Sequence, residues 1–398
     1  MLYVAYARHH DGKMAVLSCV KQFSDLAPML LLVFCGGKLD PYQVRGALRE
    51  AYPNAEVVGG SVAGAISGLG FGYSGLELTI LAFVDPATTP RVVLNLDLLA
   101  GEGQAGAALG AAVSQIAEPG AVVLLFYDSV ASSQPLRLHP ASPLVNGFQA
   151  ALDGKRVELI GGGLLTDMNL SDGWVFTGDT VHRHAAFALV FPSAVRASTA
   201  VLHGCRPVST FMEITRIDGA EVFELDGEPA LQVIERMLHL SLGGPEGHDL
   251  TLLATLGVKQ GDPFGPYDEN AYVNRLILTS DRDRGSVTLF EPDFQVGSKV
   301  QIMSRDNSLM LQSVRDGVAV VERAHVTGRR ILNLYIDCAG RASARSGAEM
   351  EEADMVVQGL DPAVPLIGFY SGVEIAPFEG YSRPLDWTGV LTTLSYDA

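Results

Sequence analysis

Short glycine-rich segments contain most of the residues in this chain that could bind a ligand. Each segment directly follows an apolar run, as in AEVVGGS, VELIGGG and VPLIGFYS. Glycine lets a ligand approach the backbone closely and leaves N–H groups available to a carboxylate or phosphate. The alternative is that these glycines only form tight turns or allow close packing of strands and helices. The candidate ligand-binding residues in the three segments are Gly59, Gly60, Ser61, Gly161, Gly162, Gly163, Tyr370, Ser371 and Glu374.

The segment IDCAGR offers a thiol and a guanidinium group. Arg341 could clamp a ligand carboxylate with its planar fork, or pair structurally with an acid such as Glu349. Cys338, near Arg341 and a helix start, could become a thiolate nucleophile in a hydrolase or transferase, or simply pack the strand end. Neither HExxH nor GxSxG occurs, so the motifs favour a binding protein, and no catalytic residue is assigned.

An internal repeat supplies the elements that position these residues. A second apolar run precedes each glycine segment (LLLVFCGG, VVLLFYDS and ILNLYIDCAG), and a helical pattern lies between the two runs. Each unit reads helix, strand, helix, strand, loop, strand, which predicts an α/β fold of mixed sheets covered by helices. Residues 196–296 break the pattern and predict a β-rich middle subdomain. Ligands of such folds bind beyond the carboxyl ends of strands, so we expect a pocket there.

Composition excludes several classes of partner. The 398 residues are 48% apolar and carry a formal net charge of −17, so nucleic acid and anionic membranes are poor partners. The four cysteines form no CxxC pair and match no zinc framework, which fits a reducing compartment. The N-terminal residues lack the pattern of a signal peptide, and the apolar run near them is too short to span a bilayer. We therefore expect a cytoplasmic protein.

The order and spacing of these segments resemble those of FIST proteins, a family with paired sensory domains in bacterial signal transduction. AEVVGGSVAGAI and ELIGGGLLTD are similar to the N-terminal FIST domain, and EITRIDGAEVFELDGEPAL, IDCAGR and PLIGFYSGVEIAPFEG to the C-terminal one. The chain departs from the family in GGSVAG, where a cysteine, serine or threonine more often follows the first glycine. The resemblance implies a FIST N-like domain at residues 1–195, with two units, and a FIST C-like domain at 196–398. The latter combines the β-rich part, 196–296, with a third unit, 297–398.

The resemblance also implies a function. It suggests a stand-alone sensor that binds a small ligand and regulates a separate signalling protein such as a histidine kinase. The ligand that the resemblance favours is haem, which would bind nitric oxide as the signal. The alternative ligand is an amino acid or another small carboxylate. Whether the protein forms a homo-oligomer stays open.

Haem would need an axial side chain, and the chain offers several histidines for that role. No CxxCH motif is present, so the group would be non-covalent haem b. His182 and His184 alternate and would face the same side of a strand. An ordinary exposed or hydrogen-bonded role is the alternative for each candidate. The candidate haem ligands are His182, His184, His139 and His203.

Overall fold

The computed structural model describes residues 2–23, 25–240, 250, 253–324, 328–378 and 380–397. Three similar α/β units share one core, and a β-rich part is inserted into the third unit. The predicted fold class, repeated units that form mixed sheets covered by helices with a β-rich middle part, is confirmed. Within the described ranges, no helix has both the length and the hydrophobicity that a membrane crossing requires.

The first unit is a mixed sheet with two helices on one face. Its second helix begins where the Asp40 carboxylate accepts the backbone N–H groups of Tyr42 and Gln43, with Pro41 in the first turn. The elements are β1 (Leu2–Arg8), α1 (Gly12–Phe23), β2 (Leu30–Gly36), α2 (Pro41–Ala51), β3 (Glu56–Val62), β4 (Ala65–Ser67), β5 (Gly70–Gly72) and β6 (Glu77–Phe83).

The second unit repeats this order and adds a small hairpin before its second helix. Its elements are β7 (Arg91–Asn95), a 3-10 turn (Leu98–Ala100), α3 (Glu102–Ile116), β8 (Val122–Asp128), β9 (Val130–Ser133), β10 (Leu136–Leu138), α4 (Ala141–Ala150), β11 (Glu158–Leu164), β12 (Val175–Thr177), β13 (Thr180–His182) and β14 (Ala186–Val190).

The third unit begins with β15 (Val195–Leu202), and the insertion follows. The insertion contains β16 (Cys205–Pro207), β17 (Met212–Asp218), β18 (Glu221–Leu225), β19 (Glu228–Pro229), α5 (Ala230–Met237), β20 (Ala254–Lys259), a 3-10 turn (Glu269–Ala271), β21 (Tyr272–Asp281), β22 (Ser286–Leu289) and β23 (Lys299–Arg305). The unit resumes with α6 (Asn307–Arg323), β24 (Arg329–Cys338), a 3-10 turn (Ala339–Arg341), α7 (Ser343–Ser346), α8 (Glu352–Gly359), β25 (Leu366–Ser371), β26 (Glu374–Phe378), β27 (Tyr381–Leu385) and β28 (Gly389–Tyr396).

Strand pairing is the same in the three units. Each has a central parallel pair, formed by β2 with β3, β8 with β11, and β24 with β25. An antiparallel strand flanks the first member of each pair, and the first strand of the unit pairs with that strand in turn. The insertion forms its own sheet, in which β20 pairs with both β21 and β23. The predicted domain boundaries remain predictions.

The repeated glycine has one structural role in all three units. A Cβ atom at Gly59, Gly161 or Gly368 would lie 1.9, 1.8 or 1.9 Å from a carbonyl oxygen of the neighbouring parallel strand. Real Cβ atoms do not approach that closely, so only glycine lets these two strands pair without displacement. The recurrence that the sequence shows therefore reflects strand packing.

The hairpin that follows each glycine segment pairs with another unit. Strand β4 of the first unit pairs with β25 of the third, β12 of the second with β3 of the first, and β26 of the third with β11 of the second. Each unit thus completes the sheet of the next around a closed circuit. The outer edge of the second strand of each parallel pair is consequently covered by a strand from another unit.

The three sheets enclose one apolar core. Successive strand residues point to opposite faces, so Leu31 and Val33 pack against the helices whereas Leu32 and Phe34 face the centre. At the centre the Phe34 ring lies 5.7 Å from that of Phe126 and 4.6 Å from that of Phe369. Aromatic contacts at these distances add to the stabilisation from buried apolar area.

Candidate functional site

A cavity of about 90 Å³ lies at the carboxyl end of the parallel strands of the third unit. Cys338 ends β24 and Ser371 ends β25, which is the edge where ligands of α/β sheets bind. Chain that follows β11 of the second unit forms one wall, and residues from β21 and just after β22 of the insertion form another. The lining residues are Leu165, Met168, Leu170, Leu276, Phe290, Cys338, Ala339, Gly340, Arg345, Ser371 and Gly372.

Arg345 is the cationic side chain among these lining residues. Its Nη2 atom donates to the Met168 carbonyl oxygen at 2.7 Å, and Asn169 Oδ1 lies 3.5 Å from the same atom. Within the part of the chain that the structure describes, Nε and Nη1 donate to no other group. A guanidinium held in this way presents donors that match a carboxylate.

Ser371 connects the cavity to a buried carboxyl group. Its hydroxyl lies 2.5 Å from Glu374 Oε1 and 3.0 Å from the Asp337 carbonyl oxygen. One hydroxyl carries one proton, so both contacts are satisfied when a protonated Glu374 donates to Ser371 Oγ, which donates to the carbonyl. Burial raises the pKa of Glu374 to about 8, which agrees with a neutral carboxyl at this position.

Cys338 lines the cavity, but its environment differs from the expectation. Burial, with Glu374 as the next cause, raises the pKa of its thiol well above the ordinary value. The expected lowering by Arg341 is wrong, because the Arg341 side chain is bonded to other groups. A thiol with a raised pKa is a weak nucleophile near neutral pH, so the geometry does not favour a cysteine-dependent hydrolase or transferase.

Arg341 lies in a buried ion cluster and is absent from the cavity lining. Its Nη2 atom lies 2.6 Å from Glu352 Oε2, its Nε atom lies 3.4 Å from Asp337 Oδ1, and Nη1 donates to the carbonyl oxygens of His203 and Trp387. The paired acid is therefore Glu352 and not Glu349. These contacts give Arg341 a structural role that joins β24 to α8.

The glycine segments lie inside strands, whereas the sequence predicted loops. Gly59, Gly60 and Ser61 belong to β3, between β2 and β12, and Gly161 and Gly162 belong to β11, between β8 and β26. The loop prediction is wrong because the glycines serve close strand approach within the sheet.

The polar groups of these segments are paired inside the protein. The Ser61 hydroxyl lies 3.0 Å from Thr166 Oγ1, and the Tyr370 hydroxyl donates to Glu351 at 2.9 Å. The Gly163 N–H donates to the Val373 carbonyl oxygen at 2.8 Å. Of the predicted ligand-binding residues, Cys338 and Ser371 line the cavity, and Glu374 supports it through Ser371.

The candidate histidines occupy four different environments. His139 is buried, with Nδ1 2.7 Å from Glu102 Oε1 and Nε2 3.1 Å from His184 Nδ1. The Nε2 atom of His182 lies 2.7 Å from Thr180 Oγ1. The expected strand alternation is wrong, because β13 ends at His182 and His184 follows with a positive φ of 55°. Burial, and to a smaller extent the positive charge of Arg341, lowers the pKa of His203 to about 4.

These residues do not fit a haem group. His203 is enclosed, and its two ring nitrogens have no partner among the described residues. His139 lines a cavity of about 10 Å³, and a cavity of about 610 Å³ has neither histidine nor cysteine in its lining. Pockets for drug-sized ligands typically measure about 300–1,000 Å³, so the strand-end cavities suit a smaller molecule.

Sequence reasoning missed several residues of the site. Arg345 lies in a stretch with several other arginines, and nothing in the sequence distinguishes it from a solvated surface charge. Leu276 and Phe290 come from the insertion, and nothing in the sequence indicates that it packs on these strand ends. The run VVLLFYDS predicts a strand end at this position, which is the signal in the sequence for the polar residues that end β8.

Comparison with known proteins agrees with this architecture. The FIST N domain matches residues 29–228, and the FIST C domain matches residues 230–377. Uncharacterized proteins of Mycobacterium tuberculosis and Mycobacterium bovis are each 26% identical to the chain, over 247 and 243 residues respectively, or 61% of it. The alignments span 62% and 61% of these relatives' own lengths. FIST domains are associated with the sensing of small ligands in signal transduction. Because the two domains cover most of its length, the chain belongs to the FIST family of sensory-domain proteins.

Proposed function

We propose that this protein senses a small carboxylate, such as an amino acid or a related acid, and passes the occupancy of its site to a signalling protein such as a histidine kinase. The observation that carries the proposal is the position of Arg345 on the wall of an otherwise mostly apolar cavity at the strand ends. An apolar pocket with one oriented cation suits an apolar body that ends in a carboxylate.

The volume of the cavity supports a ligand of few atoms. A space of about 90 Å³ lies below the usual range of drug-sized pockets, which begins near 300 Å³. Leu165, Leu276 and Phe290 would surround the apolar part of the ligand. Carboxylate recognition then falls to Arg345.

The origin of the walls supports a sensory role. The cavity is shared by the second unit, the third unit and the insertion, so a ligand contacts all three. A ligand shifts a conformational equilibrium by its differential affinity for the alternative arrangements. Occupancy would therefore favour one placement of the insertion on the repeat units, and a partner protein could read that change.

A thermal-shift panel tests the proposal. Straight-chain acids and apolar amino acids are compared with the corresponding amides, which have the same shape but no carboxylate. Because binding to the folded state raises stability, an acid that binds should raise the unfolding midpoint while its amide does not. Arg345→Met should weaken binding about tenfold or more.

Arg315→Met provides the matched control. Arg315 is an exposed arginine of α6 whose side chain donates to Gln312, and its removal should leave binding unchanged. Equal effects of acids and amides, or full binding by Arg345→Met, would contradict the proposal.

Haem is tested by an absorption spectrum of protein expressed with haem available, before and after nitric oxide. His139 lines a cavity of about 10 Å³, which is too small for the macrocycle, and the cavity of about 610 Å³ has no histidine in its lining. We therefore expect no stoichiometric Soret band. A band that shifts with nitric oxide would favour haem over the carboxylate.

A further inference from the structure

A second, smaller cavity adjoins the first and contains unpartnered hydroxyl groups. It measures about 10 Å³, which is room for about one water molecule. The two cavities share Leu165, Leu170, Phe290 and Gly372 in their linings. The two cavities are therefore neighbours, and the residues that they share are what an apolar chain would have to pass to reach from one to the other.

Tyr127 and Ser129 line this second cavity. Tyr127 is fully buried and Ser129 is 4% exposed, and neither hydroxyl has a hydrogen-bond partner outside this pair among the described residues. Burial raises the pKa of Tyr127 well above its ordinary value, whereas a hydrogen bond from Ser129 lowers it. Such a bond uses one of the two O–H donors and leaves the other without an acceptor. Buried hydroxyls without partners are costly, so a pair of them at a cavity indicates a polar group that binds there.

Two glycines clear the space around these hydroxyls. A Cβ atom at Gly163 would lie 2.0 Å from Ser129 Oγ and 3.0 Å from Tyr127 Oη. A Cβ atom at Gly372 would lie 3.1 Å from Ser129 Oγ. Any larger residue at Gly163 would displace a hydroxyl, so the absence of a side chain there keeps the polar end of the cavity in place.

The insertion adds Glu291 to the same cavity. Its two carboxylate oxygens accept the backbone N–H groups of Ala141 at 2.8 Å and Ser142 at 2.7 Å, at the start of α4. Burial, and to a smaller extent the negative charge of Asp386, raises the pKa of Glu291 to about 7. The group is therefore partly protonated near neutral pH. It does not provide the full negative charge that a buried ammonium group would require.

We infer that Tyr127, Ser129 and Glu291 form the second pole of the ligand site and select a short acid with a hydroxyl group at its far end. The inference rests on the proposed function, which places the carboxylate at Arg345. A ligand hydroxyl can both accept and donate a hydrogen bond. It would accept one from Tyr127 or Ser129 and donate one to Glu291. The shared apolar residues surround the carbon chain between the two ends.

Calorimetric titration of the full chain tests this pairing. Straight-chain acids from propionate to hexanoate are each titrated beside their ω-hydroxy counterparts. At the best chain length, the hydroxy acid should bind about tenfold more tightly than the unsubstituted acid. In a Tyr127→Phe, Ser129→Ala variant this advantage should disappear, while the affinity for the unsubstituted acid should stay within about twofold.

Tyr52→Phe is the matched control. The Tyr52 hydroxyl is also buried and unpartnered among the described residues, but it lies at the end of α2 in the first unit. This variant should keep the full preference for the hydroxy acid. The cavity variant should not lower the unfolding midpoint, because it removes both members of a buried hydroxyl pair and leaves no partner outside the pair unsatisfied.

The outcomes separate this inference from the proposed function. If the acids bind but the ω-hydroxyl gives no gain, or if the gain survives in the Tyr127 and Ser129 variant, the second pole is wrong and the carboxylate site stands. If no acid binds, the proposed function fails, and the inference fails with it.

Discussion

At the residue scale, the site and its surroundings contain carboxyl groups whose pKa is raised by burial. Burial raises the pKa of Glu374 from 4.5 to about 8, that of Glu291 to about 7 and that of Asp386 to about 6. At pH values between the unfolded and the folded pKa of each group, the folded protein holds a proton that the unfolded chain has already released. Stability from these groups is fully present below the unfolded pKa and is lost as pH rises through the folded pKa.

Glu374→Gln tests this linkage. Glutamine resembles the protonated acid but does not titrate. Between roughly pH 5 and pH 8, the slope of the unfolding free energy against pH should therefore become less negative by about 1.4 kcal/mol per pH unit, the contribution of one proton. Urea unfolding at both pH values measures the slope. Glu349→Gln, at an exposed glutamate, serves as the control and should keep the wild-type slope. An unchanged slope in Glu374→Gln would mean that Glu374 is ionised in the folded protein.

At the element scale, each unit extends a hairpin that pairs with the sheet of another unit, and we call these the exchanged hairpins. The stability of each unit therefore depends on the unit that supplies its hairpin. Phe176 in β12 belongs to the second unit, but it is fully buried in the helix-covered core of the first. Its backbone lies opposite Gly59, and its ring contacts Trp174 at 4.8 Å between centroids. A substitution in this hairpin of the second unit should therefore lower the stability of the first unit.

Phe176→Ala should cost about 3–5 kcal/mol of unfolding free energy, because it leaves a cavity in that core. Hydrogen exchange should show the main loss of protection in β2 and β3 of the first unit. Phe264→Ala, at a side chain that is 90% exposed, should change stability by less than about 0.5 kcal/mol. Loss of protection confined to β8 and β11 would contradict the exchange of hairpins.

The sequence predicts the elements well because they depend on local patterns. Apolar runs mark the buried strands, and the recurrence of Gly59, Gly161 and Gly368 marks the three units. The role of those glycines could not be predicted, because a close approach to Val33 or Leu125 involves a strand that is distant in sequence. The exchanged hairpins are short, and pairing within a unit would satisfy the same pattern.

At the scale of the whole molecule, the site depends on how the insertion packs against the repeat units. Arg275 of β21 pairs with Asp293 at 2.5 Å and also donates to the Pro384 carbonyl oxygen, while the Leu276 N–H donates to Asp386. The ion pair orients Arg275 within the insertion, and the bonds to Pro384 and Asp386 hold the insertion against the third unit beside the cavity. Sequence patterns do not encode such long-range contacts, which is why the sequence does not predict that Arg345 lines this cavity.

Hydrogen exchange of the protein with and without butyrate tests the central claim, which is the location of the ligand site. We expect added protection at the ends of β24 and β25 around Cys338 and Ser371, and in the insertion around Leu276, with no such change in Arg345→Met. Protection confined to the walls of the 610 Å³ cavity, around Gln149 and Tyr381, would place the ligand elsewhere and contradict the account.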